Sequence, residues 1–249
     1  MDEPIIQTEG TITENNPPEM ILECIDLTKK YADTLALDNL RFKLPAGRVI
    51  GLLGPNGSGK TTLLKIIAGL LTPNSGVVQV CGEPIGVKSK ALISYLPERT
   101  YFDKNLTIVQ TLDLFTDFYA DFDRVRAEKM LNDLHIDPKK KLKTLSKGTL
   151  EKVQLSLVMS RHAKLYLLDE PIGGVDPATR DYILHTIIAN FAPGSSVLIS
   201  THLIHDVEPV LDDFLFIREG HIIRFDSVEH ARRTENKDLD ALFREVFAC

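Results

Sequence analysis

Short apolar runs bounded by turn or polar residues recur along the chain, at Val49-Ile50-Gly51-Leu52-Leu53, Leu165-Tyr166-Leu167-Leu168 and Val197-Leu198-Ile199-Ser200. Runs of this length without alternation predict strands buried on both faces, the pattern of a largely parallel sheet covered by helices. An earlier strand is expected near Met20 to Leu27. Between the runs the spacing turns helical. Leu63, Leu64, Ile66, Ile67, Leu70 and Leu71 predict a helix with a broad buried face directly after the first run. From about Leu106 to Ser160 the character is helical, and Thr107 followed by Gln110 forms a capping box opening a helix over Ile108 to Tyr119. Asp176-Pro177 reads as an N-cap with proline at the first helical position, starting a helix that runs to about Asn190. Leu239, Leu242, Phe243, Val246 and Phe247 follow i, i+3, i+4, i+7, i+8 and predict a last amphipathic helix. Residues 1–19 are polar and acidic, end in Asn15-Asn16-Pro17-Pro18, and read as a flexible tail.

Composition narrows this picture. A chain of 249 residues with 43% hydrophobic content suits one large α/β domain or a domain with a small insert and needs no covalent staples. Lys and Arg total 29 against 35 Asp and Glu, a net charge of −6, which argues against a nucleic-acid partner held by a broadly basic surface. Cys24, Cys81 and Cys249 have neither metal-ligand spacing nor a disulfide pattern, as suits a reducing cytosol. The start Met1-Asp2-Glu3-Pro4 lacks the basic and apolar regions of a signal peptide. No stretch approaches the apolar length of a membrane-spanning helix, so a role at a membrane is expected to run through a partner.

The chemistry starts at Gly54-Pro55-Asn56-Gly57-Ser58-Gly59-Lys60-Thr61, which fits GxxxxGK[ST] between an apolar strand and a helix and is followed by Thr62. Glycines let the backbone approach an anion closely, and successive N–H groups at a helix N-terminus point at phosphates. Residues 54–62 are therefore the candidate nucleotide-binding set. Lys60 is placed to reach the β- and γ-phosphates, and the Thr61 hydroxyl to ligate Mg²⁺. The strand at Leu165 ends in Asp169-Glu170, and ligands of α/β sheets sit beyond the carboxyl ends of the strands. Asp169 is placed to hold Mg²⁺, and Glu170 to polarise an attacking water, a general-base role worth about 10²–10⁴-fold in rate.

Further elements then follow in a fixed order that resembles the ABC ATPase family. Leu145-Ser146-Lys147-Gly148-Thr149 resembles the signature motif LSGGQ, Gly173-Gly174-Val175-Asp176 the D-loop, and Ser200-Thr201-His202 the H-switch. Tyr31 stands at about the distance of the family's adenine-stacking aromatic, and Glu98, in Tyr95-Leu96-Pro97-Glu98, where the family usually has the Q-loop glutamine. The resemblance covers roughly residues 20–225. It implies a P-loop core with a mostly parallel sheet, an antiparallel β subdomain, a helical subdomain inserted at about 100–160, and a helical extension over 226–249. It also implies a subunit that binds and hydrolyses Mg-ATP, pairs head to tail with a second ATPase subunit of its kind, and drives an integral membrane permease from the cytoplasmic face. Ser146 and Gly148 would then grip the γ-phosphate held by the other copy, Asp176 of the D-loop would join the nucleotide-binding set, His202 would meet the γ-phosphate or water, and Glu98 would join Thr61 and Asp169 on the metal.

The pattern is departed from in two places. Lys147 replaces a signature glycine and Thr149 the usual glutamine, while Glu98 brings an anion where an amide is usual. Both departures resemble ATPase subunits of bacterial drug and peptide-antibiotic exporters of the bacitracin type. Around Tyr95 to Phe122, where the family docks its membrane chain, Phe115, Phe118, Tyr119 and Phe122 have helical spacing and are expected in the core, whereas Tyr101 and Phe102 are the docking candidates. Two alternatives stand beside the transporter reading. A soluble ABC protein of the ribosome or chromosome type fits poorly, because one phosphate loop is present and only 86 residues separate Lys60 from Ser146. A regulatory module with weak hydrolysis and no transport partner is motivated by Lys147 and Thr149.

Overall fold

A computed structural model describes residues 19–192 and 194–248, so residues 1–18 of the expected tail, with Cys249, lie outside it. Two long strands, β1 (Met20–Tyr31) and β2 (Thr34–Pro45), open the chain as a hairpin. The short β3 (Val49–Leu53) is buried throughout and leads through the Gly-rich loop into α1 (Lys60–Ile67). Next come β4 (Ser75–Val80), β5 (Glu83–Pro84), α2 (Val87–Ala91) and β6 (Ile93–Leu96). Three helices follow, α3 (Ile108–Phe118), α4 (Arg124–Asp133) and α5 (Lys147–Met159). The chain then alternates through β7 (Leu165–Asp169), α6 (Pro177–Asn190), β8 (Ser196–Thr201) and the short α7 (Ile204–Val207). It closes with β9 (Asp213–Arg218), β10 (His221–Ser227), α8 (Val228–Glu235) and α9 (Leu239–Phe247).

The strands form two sheets. One is antiparallel in the order β2-β1-β4-β5; the other runs β10-β9-β3-β8-β7-β6, with only β10 antiparallel to its neighbour. Every residue of β3, β7 and β8 is buried, which explains their unbroken apolar runs. α1 is sandwiched between the two sheets: Leu63, Leu64, Ile66 and Ile67 share one apolar cluster with Leu22, Leu27 and Leu44 of the hairpin and Leu52 and Leu167 of the large sheet. The opposite face of the large sheet is covered by α5, α6 and the C-terminal helices, with Phe243 and Phe247 packed on Phe216 of β9.

Helices α3 to α5 hold a separate small cluster built on Ile108, Leu112, Phe115, Leu131, Val153 and Leu157. The capping box at Thr107 and Gln110 forms, as does the Asp176 cap with Pro177 in the first turn of α6. Three local expectations fail. β1 continues to Tyr31 because its pairing with β2 extends past Leu27 to the turn. α1 stops at Ile67, since Gly69 turns the backbone left-handed at φ +66, and Leu70 is left 64% exposed. Phe118 projects outward, 77% exposed, because the buried face of α3 runs through Ile108, Leu112 and Phe115. The two docking candidates differ in exposure: Tyr101 is exposed, whereas Phe102 is half-buried against Phe115, with ring centroids 5.7 Å apart. β10 runs to Ser227, and α8 begins at the next residue.

Candidate active site

The Gly-rich loop wraps the N-terminus of α1. Gly59 has φ +108, and a Cβ on it would lie 2.6 Å from the Ala36 carbonyl of β2. The position therefore requires glycine on both conformational and steric grounds. Ser58 is buried, and its hydroxyl is without a hydrogen-bond partner among the described residues, an exception that calls for a ligand or water. Lys60 is 5% exposed and donates to the carbonyls of Gly54 (2.7 Å) and Pro55 (3.1 Å). Burial pushes its pKa down, opposed by the charges of Glu170 and Asp169.

Parallel pairing of β7 with β8 sets Asp169 beside Ser200 and brings Glu170 to the residues that follow β8. The Asp169 carboxylate accepts from the Ser200 hydroxyl at 2.6 Å and the Thr61 hydroxyl at 3.0 Å, and the Tyr95 hydroxyl is 3.5 Å away. Burial raises the Asp169 pKa, while Ser200 and Thr61 pull it back. Glu170 has φ +49, a strained conformation for a side chain with a Cβ, and its N–H donates to the Ser200 carbonyl at 2.9 Å. Its carboxylate accepts from the Thr201 hydroxyl at 3.1 Å and lies 3.1 Å from His202 Nδ1 and 3.7 Å from Lys60 Nζ. Five residues separated by up to 142 positions, Lys60, Thr61, Asp169, Glu170 and His202, thus converge on one point.

Lys60, Thr61, Glu170 and His202 edge a cavity of about 770 Å³ that is also lined by Asn56, Gly57, Gly59, Thr62 and Glu98, while Asp169 lies behind it, bonded to Thr61. Lys147 and Arg99 reach the same cavity, and the wall near β2 comes from Thr34, Leu35 and Ala36. Tyr31 is exposed at the end of β1 with Lys29 Nζ 5.2 Å from its ring centre, and it is not part of that wall. Ser146 and Asp176 are the N-caps of α5 and α6, accepting from the Thr149 N–H at 3.2 Å and the Thr179 N–H at 3.0 Å. Gly148 lies against that second cap, where a Cβ would meet Thr179 Oγ1 at 3.5 Å. None of these three lines the cavity of its own chain. Sequence reasoning missed Ser200 and Thr201 as the hydroxyls that hold the two acids, Tyr95 beside Asp169, and Arg99. The serine and threonine were visible next to His202, but only strand register says that they face β7.

The donors suit a hard divalent cation. Thr61, Asp169 and Glu98 offer oxygen only, and Mg²⁺ is commonly held by one or two carboxylates together with substrate phosphates. No group of three or more His, Cys, Asp or Glu among the described residues is placed to hold a metal ion.

A phosphate loop at the N-terminus of a buried helix, an acid pair on the neighbouring strand end and a histidine beyond it define a P-loop ATPase. A family model for the ABC transporter matches residues 37–173. The Nod factor export ATP-binding protein I of Burkholderia orbicola is 30% identical over 206 residues, covering 80% of this chain and 68% of that protein. An uncharacterized ABC transporter ATP-binding protein of Synechocystis is 31% identical over 227 residues, covering 84% of this chain and 64% of that one. Among solved structures, an ATP-binding subunit of an ABC transporter superposes with a TM-score of 0.81 at 27% identity, over 91% of this chain and 99% of that one. A dimeric bacterial ABC transporter cassette shares the fold, with a TM-score of 0.72 at 21% identity over 83% of this chain and 98% of that one. This chain belongs to the ABC transporter family as an ATP-binding subunit, an ATPase whose cofactors are ATP and Mg²⁺. No helix among the described residues is long and apolar enough to cross a membrane.

Proposed function

We propose that two copies of this chain close around two ATP molecules and that hydrolysis drives a separate integral membrane permease exporting drugs or peptides. The chain would sit on the inner face of the cell membrane through that permease. The observation that carries the reading is the Glu170 carboxylate, held by Thr201 and His202 3.7 Å from Lys60 at the mouth of the phosphate loop. Lys60 and the loop N–H groups bind the β- and γ-phosphates. Thr61, Asp169 and Glu98 would hold Mg²⁺, which would supply charge neutralisation at the phosphates. Glu170 orients and polarises the attacking water, and His202 keeps that carboxylate in place. Tyr31 stacks on adenine from the rim. Ser146 and Gly148, outside their own chain's cavity, serve the nucleotide of the second copy, with Asp176 at the joint; a dimeric cassette among the solved relatives supports this pairing. Relatives named for Nod factor export support outward transport.

The test compares phosphate release by wild type and Glu170→Gln. Wild type should turn over ATP, and the variant should lose about 10²–10⁴-fold in kcat while still binding ATP. Equal, near-background rates in both would remove the catalytic reading and favour the weakly hydrolysing regulatory alternative. Co-purification from the native membrane tests the permease: recovery of the chain with no integral membrane protein counts against a transport role.

A further inference from the structure

One stripe of α5 faces the catalytic core: Lys147, Glu151 and Gln154, at i, i+4 and i+7. Lys147 Nζ donates to the Gly174 carbonyl at 3.1 Å and lies 3.7 Å from Glu151 Oε1. Deeper along the stripe, Glu151 Oε2 and Gln154 Nε2 are buried without a hydrogen-bond partner among the described residues, although Gln154 is only 5% exposed. Both residues open onto a cavity of about 20 Å³, whose far wall is Pro97 and Glu98 from the loop after β6 and Asp169 and Glu170 from the end of β7. A water needs roughly 10–15 Å³ and two to four polar partners, so this space takes one molecule and no larger ligand. An unpartnered amide donor and an unpartnered carboxylate oxygen on the same small void are costly unless something bridges them.

We propose that this cavity is a binding site for a single structural water, accepting from the Gln154 amide and donating to Glu151 and to the acidic wall formed by Glu98, Asp169 and Glu170. The water ties the helix that begins with the signature segment to the loop carrying Glu98 and to the acid pair. Glu151 and Gln154 are thereby positioning residues for hydrolysis: through the bridge, the placement of α5 against the core bears on the orientation of the carboxylates that handle the metal and the attacking water. This role rests on the ATPase reading above; the water site does not.

The experiment has two arms. A high-resolution crystal structure of the wild-type chain should show one water within hydrogen-bond distance of Gln154 Nε2 and Glu151 Oε2. Gln154→Met, close in shape but without the donor, should lower the melting temperature and reduce kcat by about tenfold, the scale of lost outer-sphere partners, with the KM for ATP changed less than about twofold. A dry cavity predicts the opposite, because deleting an unpartnered buried amide raises the melting temperature and leaves kcat alone. A map without that water, or a more stable Gln154→Met with undiminished kcat, overturns the proposal. Absence of phosphate release from wild type sinks the ATPase reading and the positioning role with it, leaving the water site to be decided by the map.

Discussion

Replacement of Arg161 by Met should loosen the joint between the helical subdomain and the sheet. Arg161 lies between α5 and β7 and is 3% exposed. Its guanidinium donates to both oxygens of Asp121, at 3.0 and 3.1 Å, in the turn between α3 and α4. It also donates to the carbonyls of Ile93 (2.5 Å), at the start of β6, and Ala91 (2.9 Å), at the end of α2, and lies 4.0 Å from the centre of the Tyr119 ring. One side chain therefore fastens the helical insert to the edge strand of the large sheet. Met keeps most of the apolar stem but strands a carboxylate that is 27% exposed and two backbone carbonyls. Breaking a buried pair by removing one partner costs about 3–5 kcal/mol, against a typical domain stability of about 5–15 kcal/mol. With an m-value near 3 kcal/mol/M, the midpoint of urea unfolding followed by circular dichroism should fall by about 1–1.7 M. Arg161→Lys should recover little, because an ammonium cannot reproduce the two-toothed grip on Asp121 while reaching two carbonyls. A midpoint shift for Arg161→Met corresponding to less than about 1 kcal/mol would refute the assignment of this arginine as the joint.

Other consequences can be measured directly. Gly59→Ala should abolish binding of fluorescent ATP analogues, since the new methyl meets the Ala36 carbonyl at 2.6 Å and forbids the φ of +108; retained binding would show that the loop relaxes more easily than its packing suggests. Hydrogen bonds from the Thr179 hydroxyl and N–H hold the Asp176 pKa below its ordinary value, so the charged cap contributes stability above about pH 4 and loses it as the pH falls through the lowered folded value. The stability difference between wild type and Asp176→Asn should accordingly narrow on acidification, and a difference that stays flat would contradict the capping role. Tyr101→Ser and Phe118→Ser remove aromatics that are 59% and 77% exposed, so melting temperature should change little and basal phosphate release should hold while co-purification with a membrane partner drops. Undiminished recovery of that partner would place the docking surface elsewhere.

Local sequence was enough to read some elements completely. Capping chemistry is encoded within four residues, so the helix starts at Thr107 and Asp176 were readable from residue type alone. The unbroken apolar runs of β3, β7 and β8 announced strands covered on both faces. The phosphate loop was equally legible, because its function rests on backbone conformation and a single lysine within eight positions. Helix ends and the outward face of α3 were not: Leu70 and Phe118 fit the helical period, and only a left-handed Gly69 and the actual line of contact put them in solvent.

The sequence by itself therefore determined that this protein binds a nucleotide triphosphate on a parallel sheet, since both the motif and the strand pattern are local. Tertiary structure alone decided that Ser200 and Thr201 hold the two acids, that Arg161 clasps the helical insert, and that Glu151 and Gln154 share a void with Glu98. The reason is one of distance along the chain. Hydrogen bonds and voids between strands and helices more than thirty residues apart depend on register and packing, which no window of neighbouring residues contains.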